Sequence, residues 1–440
     1  MRLLYIAHRI PYPPDKGDKI RSYNELCFLS RRFEVDLVCF YEGPRDQNHV
    51  QKLQDMCKTV SAFQRSLWTR PLRLLAGLLL GRPASVSLYG DARMKRKIEQ
   101  LIAEHDYSRI FVFSGQMLQY VPRRLLGRSV IDLCDVDSHK WDNYADRLPF
   151  YLAWFYRLEA RRLLAFEKAA SAAARACILI TPSEVGLYRR LGGTGTLLCL
   201  GNGVDTNYFR PSERICEEGR ILFTGAMDYF PNEDAVSWFA KEIFPSMRER
   251  FPFARFVIAG SNPTRQVKAL TRIGGVEVTG FIPDMRVEQA KAHVVVVPLR
   301  IARGMQNKVL EAMASGKAVV VHPNALGGID AESDRELCVA ETTQEFRRCV
   351  ERLLREPGLA ERMGRAARKY VENNFSWERR LIELIPPLDD VKKNDHAHGA
   401  PAPIASARMP LCEPPAQQNT QTRTATELWS RRSHFRKGVF

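Results

Sequence analysis

In the stretch "RIARGMQNKVLEAMASGKAVV", Arg300, Lys308 and Glu311 stand where an apolar run gives way to a helical one. Two cations beside the free backbone N–H groups of a helix start can neutralise a phosphate. Glu311, a turn further along, can accept hydrogen bonds from both hydroxyls of a ribose, so one loop would hold both parts of a nucleotide. Two other turns after apolar runs belong to the same chemistry. Gly225, closing "ILFTG", allows close backbone approach, and Gly327 and Gly328 in "PNALGGIDA" precede the acidic Asp330. The ligand this set suits is a nucleoside diphosphate-sugar.

The first half has its own cluster. "VIDLCDVDSHKWDNYADRL" gathers Asp132, Asp135, Asp137, His139 and Asp142 at a strand end and its loop. Carboxylates at the mouth of a cleft orient a hydroxyl or take up its proton. Asp137 with Ser138 is the leading acceptor-side pair, followed by His139; the plainer role for Asp137 is to cap the next helix. Ahead of it, "LLYIAH" leads into "RIPYPPDKGDKIRSYNEL". A dinucleotide fingerprint needs three glycines in such a turn, and this one has only Gly17, which argues against a nicotinamide site.

These residues need a scaffold that presents loops at strand ends, and the patterning supplies one. Short β-branched runs alternate with segments of helical period, the rhythm of βα units around parallel sheets. The first-half strands are "LLYIAH", "VDLVCFY", "RIFVF", "SVIDLCD" and "ACILITP"; the second-half strands are "RILFTGA", "ARFVIAGS", "VEVTGF", "HVVVVPL" and "KAVVVH". The fold class expected is α/β, two doubly wound domains over 1–209 and 210–385, with ligands beyond the carboxyl ends of the strands. From Pro386 onward the composition turns to Pro, Ala, Thr, Gln and Arg without apolar period, which predicts a disordered tail over 386–440. "FSWERRLIELI", just before it, has helical spacing that suits packing back across the domain junction.

The ten cysteines show no pairing rhythm and no C-x-x-C, so they read as reduced, buried thiols of a cytoplasmic protein. The longest apolar run, "LLAGLLL", is too short to span a bilayer, and the N-terminus lacks the features of a cleaved leader. The net charge of +16 points to a polyanionic partner: nucleic acid, an anionic bilayer or a phosphorylated substrate.

Longer motifs narrow this. "KVLEAMASGKAVV", "NGVDTNYFRP", "FTGAMDYFPNEDAVSWF" and "TPSEVGLYRRLG" resemble the retaining glycosyltransferases of the GT-B fold, family 4. "HRIPYPPDKGDKIRSYNELCFLS", "DVDSHKWDNYA", "ARGMQNKVLEAMA" and "GGIDAE" are similar to the branch associated with exosortase (PEP-CTERM) and exopolysaccharide systems of bacteria. The resemblance covers about residues 1 to 385. It implies two Rossmann-like domains facing across a cleft, with Glu311 on the ribose and Arg300 or Lys308 on the diphosphate. It also implies that the Gly17 loop faces the donor phosphates, with Lys16, Lys19 and Arg21 adding positive field. No cofactor and no metal are implied.

Two departures from the family pattern matter. The position eight before Glu311, often a glutamate that contacts the donor sugar, is Arg303, and the Arg and Lys usual after the first strand of the second domain are replaced by Ala226 and Met227. Arg303 is expected to read the donor as a positive group, touching the β-phosphate or a sugar carboxylate. Between Arg65 and Lys97, eight Lys or Arg and only Asp91 as an acid interleave with leucines and Trp68. That composition suits a helix in an anionic membrane interface beside a lipid-linked acceptor, or a core helix with a basic face. The function expected is glycosyl transfer to a glycan or lipid-linked acceptor at the inner face of the cytoplasmic membrane. A GT-B epimerase and a non-catalytic binding scaffold are the alternatives. Nucleic acid is disfavoured as a partner because the charge is spread and no recognition motif appears.

Overall fold

The computed structural model describes residues 1–14, 17–43, 46, 48–65, 70–146, 148–212, 216–302 and 305–389. All of these lie in one compact unit running from Met1 to Ile404. Two parallel sheets organise it. The first has seven strands, β1 (Arg2–Ala7), β2 (Glu34–Tyr41), β3 (Thr59–Gln64), β4 (Arg109–Phe113), β5 (Ser129–Cys134), β6 (Ala176–Leu179) and β7 (Leu197–Cys199), in the order β3-β2-β1-β4-β5-β6-β7. The second has six, β8 (Arg220–Thr224), β9 (Arg255–Ala259), β10 (Val276–Gly280), β11 (Val294–Val297), β12 (Ala318–Val321) and β13 (Cys338–Val339), in the order β10-β9-β8-β11-β12-β13. In each sheet the order reverses beside the first strand, which is the switch point where such folds open a crevice at the carboxyl ends.

Helices cover both sheets, so the central strands are buried on both faces and their residues are almost all apolar. Those that carry the argument are α1 (Gly17–Ser30), α2 (Arg70–Leu79), α3 (Asp137–Ala145), α4 (Phe150–Ala173), α5 (Phe230–Trp238), α6 (Asn307–Ala314) and α7 (Trp377–Leu381). α7 follows the last long helix of the second half and returns to the first: Trp377 and Leu381 are buried, and Arg31 lies 4.0 Å from Glu378. The described chain then runs past Pro386. Ile385–Leu388 forms a further helical turn with Leu388 buried, so structure continues beyond the position where composition placed the tail; residues 390–440 lie outside the described residues.

Candidate functional site

α6 begins at the carboxyl edge of the second sheet, in the connection from β11 to β12. Its N-cap, Gln306, makes no side-chain cap bond, so capping by the N-cap side chain does not use up the first-turn N–H groups. From the same first turn Lys308 reaches under the β8 turn, where its Nζ donates to Asn232 Oδ1 at 2.7 Å and sits 4.3 Å from the Phe223 ring centroid. Asn232, buried on α5, donates in turn to Ala226 O at 2.8 Å. Gly225 makes this possible: a Cβ there would stand 2.8 Å from Asn232 Nδ2 and 2.9 Å from Lys308 Nζ. A lysine from α6 thus brings its cation to the turn that carries Ala226 and Met227.

Glu311 lies one turn along α6, partly buried as Lys308 is. Burial pushes the Lys308 ammonium down to about 7 and the Glu311 carboxyl up to about 7, with each partner's charge opposing the shift. A cation and an acceptor held this way beside open helix amides can take an anion and a vicinal diol together.

Arg300 does not join them. Its guanidinium donates to Asp234 Oδ1 at 2.8 Å and lies over the Trp238 ring, so a carboxylate already balances its charge. Its backbone is tied to the following strand's turn, because Asn324 Nδ2 donates to Arg300 O at 2.8 Å. In that turn Gly327 (φ 48°) and Gly328 (φ 95°) adopt the left-handed conformation that glycine accepts without strain. Arg303 lies outside the described residues.

On the first domain, Asp137 opens α3 but does not cap it; Val136 is the N-cap. Its Oδ2 accepts from Gln116 Nε2 at 3.0 Å and its Oδ1 from Lys140 Nζ at 2.9 Å, and Lys140 also reaches Asp135 at 2.9 Å. Ser138 turns away from this group, donating to Glu167 Oε2 of α4 at 2.6 Å. His139 is partly buried, with its Nδ1 against the Asn143 amide. Gly17 begins α1 with open space where a Cβ would be, so nothing in its surroundings requires glycine.

The expected positive field of the first loop needs correction. Lys19 is buried with its Nζ 3.4 Å from Asp46, and Arg21 is buried on Asp132, because charges inside a domain must be paired. Lys16 lies outside the described residues. Asp132, counted among the cleft carboxylates, is likewise fully buried.

The Arg21 arrangement was not anticipated. Arg21 Nε contacts both Asp132 and Glu25, while its Nη1 donates to Asn202 Oδ1 at 3.1 Å. Asn202 Nδ2 then donates to Asn307 Oδ1 at 3.0 Å, and Asn307 is the first residue of α6. A polar chain therefore runs from the first domain's core to the helix carrying Lys308. Its members are far apart in sequence, so no spacing could announce it. Also unannounced are Ser114 (φ 79°) and Cys134 (φ 61°), non-glycine residues with left-handed backbone just after β4 and at the end of β5. Such conformations persist where surrounding structure imposes them, often at ligand sites.

Residues 218–356 match the model of a family described as Glycosyl transferases group 1. Among curated proteins none matches the sequence. Solved structures that resemble it include HepE of Anabaena in complex with UDP, at 14% identity and TM-score 0.63 over 88% of this chain and 100% of that one. A sucrose-phosphate synthase of Thermosynechococcus elongatus resembles it at 16% identity and TM-score 0.60, over 88% and 98%. WaaG, a glycosyltransferase involved in lipopolysaccharide biosynthesis, does so at 15% identity and TM-score 0.59, over 87% and 98%. At these identities the likeness carries the fold, two Rossmann-like domains of the GT-B kind, and the family match carries the activity: this is a glycosyltransferase.

Proposed function

We propose that this glycosyltransferase takes a sugar from a nucleoside diphosphate-sugar and transfers it, with retention, to a glycan or lipid-linked acceptor. Its setting would be the assembly of a bacterial exopolysaccharide or cell-surface glycan at the cytoplasmic side of the membrane. The observation that carries the donor half is the position of Lys308, aimed from α6 into the β8 turn that Gly225 leaves open, with Glu311 one turn on. In this reading the diphosphate lies on the α6 amides and Lys308, the ribose on Glu311, and the Gly327–Gly328 turn borders the sugar, while Arg303 touches the β-phosphate or a carboxylate on the sugar. Arg300 stays paired with Asp234 unless a ligand displaces it. The Gly17 loop faces the donor phosphates across the cleft, and Asp137 and His139 face the acceptor.

Transfer proceeds as the acceptor oxygen bonds to the anomeric carbon on the face from which the diphosphate departs. The anomeric C–O bond breaks, and the acceptor's proton passes to the departing phosphate oxygen. Negative charge grows on the diphosphate in that step, and a fixed lysine with helix amides stabilises it there most. One structural neighbour, HepE, was solved both with UDP and with UDP-glucose, which makes uridine the first base to try.

Thermal unfolding in the presence of UDP-, GDP-, ADP- and dTDP-sugars tests the reading. A true donor at 100 times its Kd raises stability by about 2.7 kcal/mol. Lys308→Met and Glu311→Gln, each checked for native circular dichroism, should abolish that gain. Stabilisation that survives both substitutions, or none in any series with folded parent, rejects the site.

A further inference from the structure

α2 and the start of α4 hold large apolar side chains out of the protein. On α2, Leu72, Leu75 and Leu79 recur at helical spacing and are 69%, 55% and 78% exposed, with Leu80 next to them at 66%. The opposite side of α2 is the one docked on the fold: a Cβ on Gly77 would collide with Ser87, so that face lies tight against the following helix. On α4 one exposed line runs Phe150, Trp154, Arg157, Arg161, changing from aromatic to basic within three turns. The two helices are neighbours, since Arg162 Nη1 donates to Leu78 O at 3.5 Å. Between them lies a cavity of about 320 Å³, walled by Leu74, Leu75, Leu78, Phe155 and Leu158.

The charge around this surface is mostly positive, although Arg73 pairs with Asp91. Residues 70–82 contain three arginines and no carboxylate. Glu159, at the cavity wall, is turned inward, where it accepts from Ser85 N and Ser85 Oγ. Asp146, 3.3 Å from Arg157, is the acid beside the α4 line. An apolar patch of this extent on a soluble protein marks an interaction site. A partner that must be apolar within and anionic at its rim is a bilayer carrying acidic headgroups, with leucines among the acyl chains and arginines level with the phosphates.

We propose that α2 and the first half of α4 form a docking face that inserts Leu72, Leu75, Leu79, Phe150 and Trp154 into an anionic phospholipid bilayer. Arg82, Arg157 and Arg161 then contact the headgroups, and the cavity between the helices accepts an acyl chain. The idea builds on a lipid-linked acceptor for its purpose, yet it stands or falls without nucleotide. No helix of the described residues is long and apolar enough to cross a membrane, so attachment is to one leaflet.

The test is flotation of the full chain with vesicles of phosphatidylcholine, alone or with phosphatidylglycerol. The parent should float with the anionic vesicles only. Arg157→Gln with Arg161→Gln should lower its partition coefficient about thirtyfold, and Leu75→Glu with Leu79→Glu should leave it in the unbound fraction. All four positions are exposed, so thermal midpoints and nucleotide-induced stabilisation should stay at the parent's values. Trp154→Gln, on the other helix, gives an independent loss should the leucine variant misfold. A parent that stays unbound overturns the proposal, as does flotation indifferent to the leucine and tryptophan changes. Equally decisive against it is a parent dimer that Leu75→Glu with Leu79→Glu splits, because a second copy would then cover the face. If flotation fails while a UDP-sugar still stabilises the protein, only the docking face is lost.

Discussion

Lys308 and Glu311 lie one turn apart and are both partly buried, and burial drives both toward neutrality near pH 7. The two shifts pull stability in opposite directions along the pH scale. Glu311 titrates ordinarily at 4.5 and in the fold at about 7, so the folded state holds an extra proton between those values and loses stability as pH rises through them. Lys308 titrates ordinarily at 10.5 and in the fold at about 7, so the unfolded chain holds the extra proton there and stability returns as pH rises toward 10.5. The pair is therefore most costly near neutrality, where a nucleotide diphosphate that keeps Lys308 charged and hydroxyls that need Glu311 ionised would relieve it. Glu311→Gln should raise the stability of the free protein at neutral pH by about 1–3 kcal/mol while erasing its gain from a nucleotide-sugar. Denaturation followed across pH, with and without ligand, checks both halves; a variant less stable than the parent at pH 7 contradicts the shift assigned to Glu311. Lys308 and Glu311 were legible in sequence because they ride one helix after one strand. The burial of Lys308 was not, since it depends on Gly225 and Asn232, brought in from the β8 turn and from α5.

The chain of polar groups from Arg21 to Asn307 joins whole elements, α1 and β5 of one domain to α6 of the other. Buried polar groups are stable while each has its partner and costly once one is removed. Asn202→Leu strands Arg21 Nη1 and Asn307 Oδ1 together, which should cost about 1–3 kcal/mol. A purely structural link would stop there. If the chain holds α6 in position, the same variant should also weaken nucleotide-sugar affinity about tenfold and speed hydrogen exchange at the first amides of α6. Unchanged affinity at lowered stability would leave the chain a structural one. The strands show where sequence informs and where it does not. The ten apolar runs all became strands, nine of them because a strand buried on both faces is almost wholly apolar; the tenth, β10, is an edge strand whose Glu277 and Thr279 face outward. The three that escaped, β3, β7 and β13, are all sheet edges. β3 and β7 are only partly covered, and β13 is two residues long, so none offers a continuous apolar run.

At the scale of the molecule, the two domains are joined by two chain crossings that touch. The first is the linker after β7; the second is the return into α7. Val204 N donates to Phe375 O at 2.7 Å, Val204 bridges Ser376, and Gly203 lies so close to Trp377 that an added Cβ would stand 2.7 Å from its Cα and 2.8 Å from its N. The ends of the return are anchored on the first domain, where Arg175 Nη2 donates to Asp389 O at 2.6 Å. Any closing of the domains on a donor must pivot about this doubled crossing, because closure turns on a few residues that absorb the backbone change. Gly203→Ala forces backbone from backbone, with no flexible side chain to yield, and should cost about 1–3 kcal/mol. It should also lower kcat more than it raises the donor KM, since the residues proposed for the donor lie on the second domain while transfer needs both. Gly17→Ala is the matched control: its Cβ meets nothing, so stability should be unchanged and only a donor lying against the Gly17 backbone would register the substitution. Equal kinetic losses in the two variants would show that the crossing does not govern closure. A loss of kcat confined to Gly203→Ala would make the contact between Gly203 and Trp377 the pivot about which the active cleft forms.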